Sequence, residues 1–201
     1  MSHINSLGVA LYTDLSFTLG AGAAAVPAAG SYNQAGFDAL FALEDATAPY
    51  AAVSNSFVRI QNVRDFPSMG TPPNIVKVPV FGAKQSQQIQ GQSDAPSMEV
   101  TLNYVPDDWS STNLGLYVND GVTRAFRFAL LNTACTTWKS TGTTANIGGT
   151  LALPILNSLY YFTGRIEALS IKPSLTDATT ATLTLSMQSD FYGAYTVTAS
   201  T

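Results

Sequence analysis

Two segments of the sequence alternate apolar and polar residues without a break, and this pattern limits how each of them can pack. In Ser97–Val105 the apolar positions are Met98, Val100, Leu102 and Tyr104. In Thr180–Gln188 they are Ala181, Leu183, Leu185 and Met187. Successive side chains of a β-strand point to opposite sides of a sheet. Each segment is therefore predicted to be a strand with one apolar and one polar face.

Further strand patterns and turn signals occupy most of the chain between residues 56 and 190. Strand-like alternation begins at Ser56, Ile75, Thr123 and Tyr160. Pro79 cannot donate a ladder hydrogen bond, so the strand before it is predicted to lie at an edge or to end there. Alternation breaks near Leu169, which predicts a bulge or burial of both faces at that point, and Asn119-Asp120-Gly121 is a turn signal. Six or seven strands and few helices predict a mainly β fold, an antiparallel sandwich or barrel.

The two ends of the chain differ from this middle part. Gly20–Gly30 is rich in Ala and Gly and predicts a flexible connection. Apolar residues spaced three and four apart predict a short helix within Gln34–Asp45. We therefore expect residues 1–50 to form an N-terminal arm with a short helix, residues 51–190 to form the β-sandwich domain, and residues 191–201 to form a C-terminal arm.

The composition narrows the function classes. Charged residues make up 11% of the chain, against about 25% in an ordinary soluble domain, and Ser, Thr, Asn and Gln supply the polarity instead. Such a surface is easier to desolvate than a charged one, which favours burial against other copies of the chain. A net charge of −4 does not suit a protein that grips nucleic acid, whereas an acidic channel wall would let DNA slide past.

No set of residues in the sequence points to catalysis. Cys135 is the one cysteine, which excludes an intrachain disulfide, and the one histidine is His3 in the expected N-terminal arm. A nucleophilic residue normally needs a neighbouring base to activate it. Asp107 and Asp108 lack the additional convergent oxygen ligands that a hard cation requires. We therefore expect that the chain is not an enzyme and that it holds no metal and no cofactor.

One region of the sequence resembles a known family. Residues 91–96 read Gly-Gln-Ser-Asp-Ala-Pro and precede the strand Ser97–Val105, which closes with Asn103-Tyr104 and Pro106-Asp107. This succession is similar to the corresponding segment of the major tail tube proteins of long-tailed bacteriophages. The order of strands and loops from Ser56 to Gln188 is also similar to that family.

The resemblance implies a structural protein of the virion, located in the phage tail, with a sandwich of the tail tube type. Six copies would form a ring in which strands of every copy join an inner barrel, and the rings would stack into a tube. Genomic DNA would pass through this tube into the host without specific binding. The implied partners are the chain itself and the tape measure, tail tip and tail terminator proteins, with assembly in the host cytoplasm and no membrane insertion.

The candidate site is the stretch from Lys84 to Pro96. It is rich in Gln and Ser and poor in apolar anchors, which predicts a loop that becomes ordered against a neighbouring subunit. In the tail tube family this loop lies in the ring interface. The predicted intersubunit residues are Gln85, Gln87, Gln88, Gln90, Gly91, Gln92, Ser93, Asp94, Ala95 and Pro96.

An alternative function is a β-sandwich module of a virion that binds a receptor or a carbohydrate. Its binding surface would consist of aromatic residues in loops, and the candidates are Trp109, Trp138 and Tyr192. A weaker hint points to nucleic acid, because Arg124 and Arg127 flank Phe126. Two arginines at strand spacing more often pair with acids or pack over a neighbouring sheet.

Overall fold

The computed structural model describes residues 12–20, 25–41, 57–70, 75–78, 87–90, 97–131 and 157–195. Within these ranges a 3₁₀ helix covers Leu114–Tyr117 and the α-helix α1 covers Gln34–Leu40. The strands are β1 (Tyr12–Thr18), β2 (Phe57–Arg59), β3 (Val63–Asp65), β4 (Ile75–Val78), β5 (Gln87–Gln90), β6 (Ser97–Asn103), β7 (Arg124–Leu131), β8 (Asn157–Lys172), β9 (Thr180–Met187) and β10 (Tyr192–Tyr195).

Eight of these strands form one antiparallel sheet. Its order is β2-β1-β7-β8-β9-β6-β3, and β10 pairs with β8 beside this path. The strands β4 and β5 form a separate two-stranded ribbon. The expected mainly β, antiparallel fold with one short α-helix is thereby confirmed, and the ladder of the main sheet is not closed into a barrel.

Strand β8 divides the main sheet into two layers. Its first half pairs with β7 up to Gly164, and its second half pairs with β9 from Gly164 onward. A Cβ atom on Gly164 would lie 2.7 Å from the carbonyl oxygen of Ser186, so only glycine lets the strands approach this closely. A bulge between Ile166 and Ala168 bends the strand immediately afterwards. We call β2, β1, β7, β10 and residues 157–164 the helix layer, and β3, β6, β9 and residues 165–172 the polar layer.

The far ends of the sheet meet at a second corner. The N–H group of Ile60, just after β2, donates to the carbonyl of Leu15 in β1 at 2.8 Å. Two residues later the carbonyl of Asn62 accepts from the N–H group of Asn103 in β6 at 2.9 Å. Only Gln61 therefore separates the two ends of the sheet, and Asn62 turns the chain with a positive φ of 60°. The sheet is folded over on itself as a sandwich.

The main hydrophobic core lies between the two layers. Phe126 of the helix layer stacks on Phe17 and on Phe162, with ring centroids 5.7 and 5.0 Å apart. Phe66, which follows β3, contacts Phe128 of β7 across the core at 5.5 Å. The polar layer contributes its apolar face, namely Met98, Val100, Leu102, Ala181, Leu183, Leu185 and Met187. Burial of these side chains provides the main driving force for closing the sandwich.

Helix α1 covers the outer side of the helix layer. Its N-cap is Asn33, whose side chain accepts a hydrogen bond from the N–H group of Gly36 at 3.0 Å. The ring of Phe37 stacks on Tyr161 at 5.0 Å, and Phe41 contacts Phe57 at 5.6 Å. The helix layer therefore has a packed face on both sides, whereas the polar layer is packed on one side only.

The structure confirms the strands that were predicted from clean alternation. In β6 and β9 the buried residues are those of the predicted apolar faces. The predicted helix is present at Gln34–Leu40, and β4 ends at Val78, directly before Pro79. The bulge in β8 is also present, although it lies at Ile166–Ala168, before the break in alternation at Leu169.

Other expectations need correction. Residues 87–90 were expected in a loop but form β5, because the backbone ladder with β4 pairs them whatever their side chains. Parts of the expected arms belong to the sandwich: β1 lies between β2 and β7, α1 packs on the helix layer, and β10 pairs with β8. Residues 1–11, 21–24, 42–50 and 196–201 of the expected arms lie outside the described ranges.

We expect the two faces of β9 to respond differently to truncation. Leu183 is completely buried, so Leu183→Ala should lower the free energy of unfolding by about 2–5 kcal/mol. Its neighbour Thr182 lies on the polar face, and Thr182→Ala should change stability by no more than about 0.5 kcal/mol. Urea unfolding followed by tryptophan fluorescence measures both, and equal losses would contradict a one-sided polar layer.

Candidate functional site: the open face of the polar layer

The outer face of the polar layer carries short hydroxyl side chains in register across three strands. The pairs between β6 and β9 on this face are Ser97–Ser186, Glu99–Thr184, Thr101–Thr182 and Asn103–Thr180. Strand β8 continues these rows with Arg165, Ala168, Ser170 and Lys172. The side chains on this face are exposed or half-buried. Since the opposite face fills the core, only this face of the layer can meet solvent or a partner.

The charges on this face are mixed in sign. Glu99 lies on β6, and Asp65 of β3 pairs with Thr101 at the same face. Glu167, in the bulge, accepts a hydrogen bond from the hydroxyl of Ser186 at 2.5 Å. Arg165 donates from Nε to the hydroxyl of Thr123 at 3.0 Å, and Lys172 lies at the end of β8. Three carboxylates thus accompany two cations, which is a poor surface for gripping phosphate groups.

Among the described residues, both edges of the polar layer lack a strand partner along part of their length. On the β8 side, the N–H group of Asn119, in the turn before β7, donates to the carbonyl of Ile166 at 2.8 Å. Beyond it, the ladders among the described strands pair residues 168–172 of β8 with β9 alone. On the other side, β3 has three residues, and within the described part of the chain its ladder joins it to Leu102 and Thr101 of β6 alone. Such edges present backbone groups to any strand that can align with them.

A buried polar cluster holds α1 on the sheet. The hydroxyl of Tyr161 donates to Asp38 of α1 at 2.5 Å. The guanidinium of Arg127 lies between the rings of Phe41 and Phe57, 4.5 and 4.9 Å from their centroids. Burial raises the pKa of Tyr161 well above its ordinary value. Burial also raises the pKa of Asp38, against the opposing effects of the Tyr161 hydrogen bond and the Arg127 charge.

This cluster is enclosed, which argues against a chemical role for it. Tyr161 and Arg127 are 0% and 1% exposed, and α1 lies over the sheet that holds both. A substrate could not reach Tyr161 or Arg127 unless α1 moved away, and the half-buried Asp38 is held by its hydrogen bond to Tyr161. The cluster is therefore best explained as the polar anchor of α1.

The second arginine of β7 is also engaged within the chain. Arg124 forms a bidentate ion pair with Asp120, with nitrogen–oxygen distances of 2.9 and 2.5 Å. Its guanidinium also lies 4.8 Å from the centroid of the Tyr117 ring. The pair fixes the predicted turn, in which Asn119 and Gly121 have positive φ angles of 57° and 73°. Because Arg124 is 3% exposed, neither arginine of this strand presents its charge to DNA.

The predicted interface residues lie partly in the ribbon. Gln87, Gln88 and Gln90 belong to β5, where they pair with Val78, Lys77 and Ile75 of β4. The other predicted residues, namely Gln85, Gly91, Gln92, Ser93, Asp94, Ala95 and Pro96, lie outside the described ranges. A two-stranded ribbon is marginally stable by itself in water, so the ribbon would gain from a partner. Their role between subunits stays a prediction.

The aromatic residues of the alternative function are placed differently from the expectation. Trp109 is 7% exposed and packs into the main core. Tyr192 lies in β10, and its ring contacts Phe37 and Tyr32 at 5.6 and 5.9 Å. Trp138 lies outside the described ranges, as do Cys135 and His3. Two of the three aromatic residues therefore serve packing and do not form an open platform for a ligand.

Within the described ranges, no group of three or more His, Cys, Asp or Glu side chains converges on one point. Burial raises the pKa of Asp108, which lies next to Asp107 in the turn after β6. No helix in this part of the chain has the length and apolar character needed to cross a membrane.

The comparisons with known proteins include a structural similarity to a phage protein. No family profile and no curated protein matches the sequence. Among solved structures, the chain is similar to the tail tube of SPP1, determined by solid-state NMR and cryo EM, with a TM-score of 0.46 and 10% sequence identity. The match covers 90% of this chain and 76% of that chain. At this level of similarity the match assigns neither a family nor an activity.

The raised pKa of Asp38 leads to a prediction about pH. The folded protein holds this proton more tightly than the unfolded chain, so the stability linked to Asp38 is complete below the ordinary value of 3.8 and is lost as pH rises through the raised pKa. Asp38→Asn keeps an oxygen for the Tyr161 hydroxyl and cannot ionise. We expect the variant to gain stability relative to the parent between about pH 3 and about pH 7.

Urea unfolding at a series of pH values checks this expectation. Asp177→Asn is the matched control, because its carboxylate is largely exposed and lies 3.9 Å from Arg64. The control should change the free energy of unfolding by less than about 1 kcal/mol. Parallel stability curves for Asp38→Asn and the parent across this pH range would contradict the prediction.

Proposed function

We propose that this chain is a structural subunit of a bacteriophage tail tube, in which rings of six copies stack around a channel that conducts genomic DNA. One observation carries the proposal: the polar layer has a hydroxyl-rich open face and two partly open edges. The sequence resemblance around Ser97–Val105 supports the same assignment. The proposed partners are further copies of the chain and the tape measure, tail tip and tail terminator proteins.

The strand directions in the polar layer suit joining of copies in a ring. From one edge to the other the layer consists of β8, β9, β6 and β3, and each neighbouring pair is antiparallel. With four alternating strands, the two edge strands β8 and β3 run in opposite directions. When copies related by rotation meet edge to edge, β8 of one copy is therefore antiparallel to β3 of the next. The ring can close with one repeated junction.

The size of the resulting barrel suits a channel. Four strands from each of six copies give about 24 strands, which at about 4.8 Å spacing and about 40° tilt make a backbone ring roughly 50 Å across. Side chains that line this ring would leave an open lumen, since a barrel of that width is too large for side chains to fill. The number six comes from the family resemblance, and the four strands come from the fold.

The chemistry of the open face suits passage of DNA in preference to binding. Apolar side chains of β6 and β9 are committed to the core, so the hydroxyl face is the one that can line the lumen. Its three carboxylates and two cations leave no cluster of positive charge to hold the phosphate backbone. Both internal arginines of β7 point into packed regions. DNA would therefore meet hydroxyl groups and scattered charges of both signs.

The ring junction can be tested by cross-linking. Asp65 and Ser170 end a row that runs across the layer through Thr101 and Thr182. In a Cys135→Ser background, Asp65→Cys with Ser170→Cys places one thiol on each open edge. A short bis-maleimide should then convert the assembled protein into a covalent ladder that ends at six copies, and negative-stain electron microscopy should show hollow rings or tubes.

The single variants Asp65→Cys and Ser170→Cys are the controls, because one thiol per copy cannot build a ladder through a junction of two different edges. Ladders from either single variant would place the copies differently from the proposal. If the double variant stays monomeric at high concentration and in the presence of tail tip extract, the tail tube assignment fails and the binding module becomes the better hypothesis.

The ribbon provides a second test. Deletion of residues 85–92 removes β5 and most of the predicted intersubunit loop. The ribbon is separate from the eight-stranded sheet, so we expect the deletion variant to keep its main unfolding transition and to lose polymerisation. Replacing residues 85–92 with a Gly-Ser linker of equal length is the control that separates loop length from loop sequence. Tubes of normal appearance from the deletion variant would show that the ribbon is dispensable.

A further inference from the structure

One hairpin exposes more apolar surface than its surroundings. Among the residues that the structure describes, three large hydrophobic side chains are exposed: Leu116 at 51%, Ile171 at 45% and Leu175 at 105%. Two of them belong to the end of the β8–β9 hairpin, whose connection we call the tip (residues 173–179). Exposed single hydrophobic residues are common on protein surfaces, so the exposure of Leu175 acquires meaning only from the order and the position of the tip that carries it.

The tip is ordered by its own hydrogen bonds. The hydroxyl oxygen of Ser174 accepts from the N–H groups of Thr176 and Asp177 at 3.3 and 3.0 Å. The side chain of Asp177 accepts from the N–H group of Ala178 at 2.8 Å, and its other oxygen lies 3.9 Å from Arg64. Leu175 therefore stands at the centre of a turn that holds it outward, away from the core.

The position of the tip indicates where a partner would approach. Thr180 pairs with Lys172 on one side and with Asn103 on the other, so three strands of the polar layer end at the same rim. The tip extends past this rim. If the polar layer forms the ring barrel proposed above, its strand ends face along the tube axis, and the tip faces the neighbouring ring.

We infer that the β8–β9 tip is an axial docking element, in which Leu175 binds a second copy of this chain in the next ring. The inference rests on the proposed function. It commits to a copy of the same chain because the rim of a ring can meet only another ring along the body of a tube. A pre-ordered turn loses little conformational freedom on docking, so the burial of one Leu side chain contributes with little opposing entropy.

The test compares Leu175→Ser with Leu116→Ser, a variant that also removes an exposed Leu but lies in the 3₁₀ helix and not in the tip. Both substitutions leave the core intact, and circular dichroism with thermal unfolding checks this. Each protein is assembled across a range of concentrations and examined by negative-stain electron microscopy and sedimentation. Leu175→Ser should give rings that stack only at protein concentrations about tenfold or more above those of the parent. Leu116→Ser should behave as the parent.

A second variant tests the order of the tip. Ser174→Ala keeps Leu175 but removes the oxygen that accepts two backbone N–H groups, so it should weaken stacking in the same direction and to a smaller extent. Parent tubes and Leu175→Ser tubes that form at equal concentrations would overturn the tip inference alone. Loss of rings as well as tubes in Leu175→Ser would overturn the axial assignment. A parent protein that forms no rings would overturn both the inference and the proposed function.

Discussion

The fold depends on the passage of one long strand through two layers. Strand β8 has 16 residues, and β7 occupies one flank of its first half while β9 pairs with its second half. Gly164 makes the exchange of partners possible, because the carbonyl of Ser186 occupies the space that a Cβ atom would need. The bulge that follows changes which side chains face the core. The strands β2 and β3 are the two ends of the sheet, and only three residues separate them in the chain. Without this bend, the two ends could not come this close together.

This bend also separates two surfaces of different chemistry. The helix layer is packed on both faces, and its outer face holds aromatic rings together with the buried Arg127 and Asp38 anchor under α1. The polar layer is packed on one face, and its other face consists of Thr and Ser rows with scattered charges. Only 11% of the residues of this chain are charged. The outer face of the polar layer is therefore hydrophilic mainly through its hydroxyl groups and carries no strong electrostatic field. Such a face suits a channel wall better than a binding site.

The parts of this fold that could be predicted from sequence are those determined by neighbouring residues. The alternation in β6 and β9 predicts directly which face of each strand is buried. The Asn-Asp-Gly sequence predicts a turn, and Pro79 predicts the end of a strand, because both act through local backbone geometry. Strand β1 was harder to place because Ser16 and Thr18 are buried as well, so its polar residues do not mark a solvent face. Its position between β2 and β7 depends on residues more than 100 positions away. Residues 87–90 pair through the backbone, and their Gln side chains gave no strand signal.

In the candidate site, too, some features follow from neighbouring residues and others from distant parts of the chain. Alternation predicted the polar faces of β6 and β9, but the site predicted from the sequence was the stretch from Lys84 to Pro96, part of which lies in the separate ribbon. The open edges could not be predicted, because they arise from a difference in length between β8 and its neighbour β7, and from the brevity of β3. The internal pairing of Arg124 with Asp120 and the cage around Arg127 also required the fold, since Phe41 and Phe57 come from distant segments. Sequence offered only the general expectation that arginines at strand spacing are more often structural.

In the proposed tube, the open edges of the polar layer must not pair indiscriminately before the copies assemble. An exposed, flat, apolar edge would pair with any strand, and proteins avoid this with charges, bulges and short edge strands. All three devices are present here: Glu167 lies in the bulge and Lys172 at the end of the β8 edge, while β3 has three residues and carries Arg64 and Asp65. Each edge therefore presents both signs of charge. Since each edge carries both signs of charge, the register of two paired edges decides whether like or opposite charges face each other, for β8 against β8 as well as for β8 against β3. In the proposed ring, the charges would therefore restrict the registers that the β8–β3 junction can adopt, while the antiparallel direction of its two edges would come from the four alternating strands of the layer.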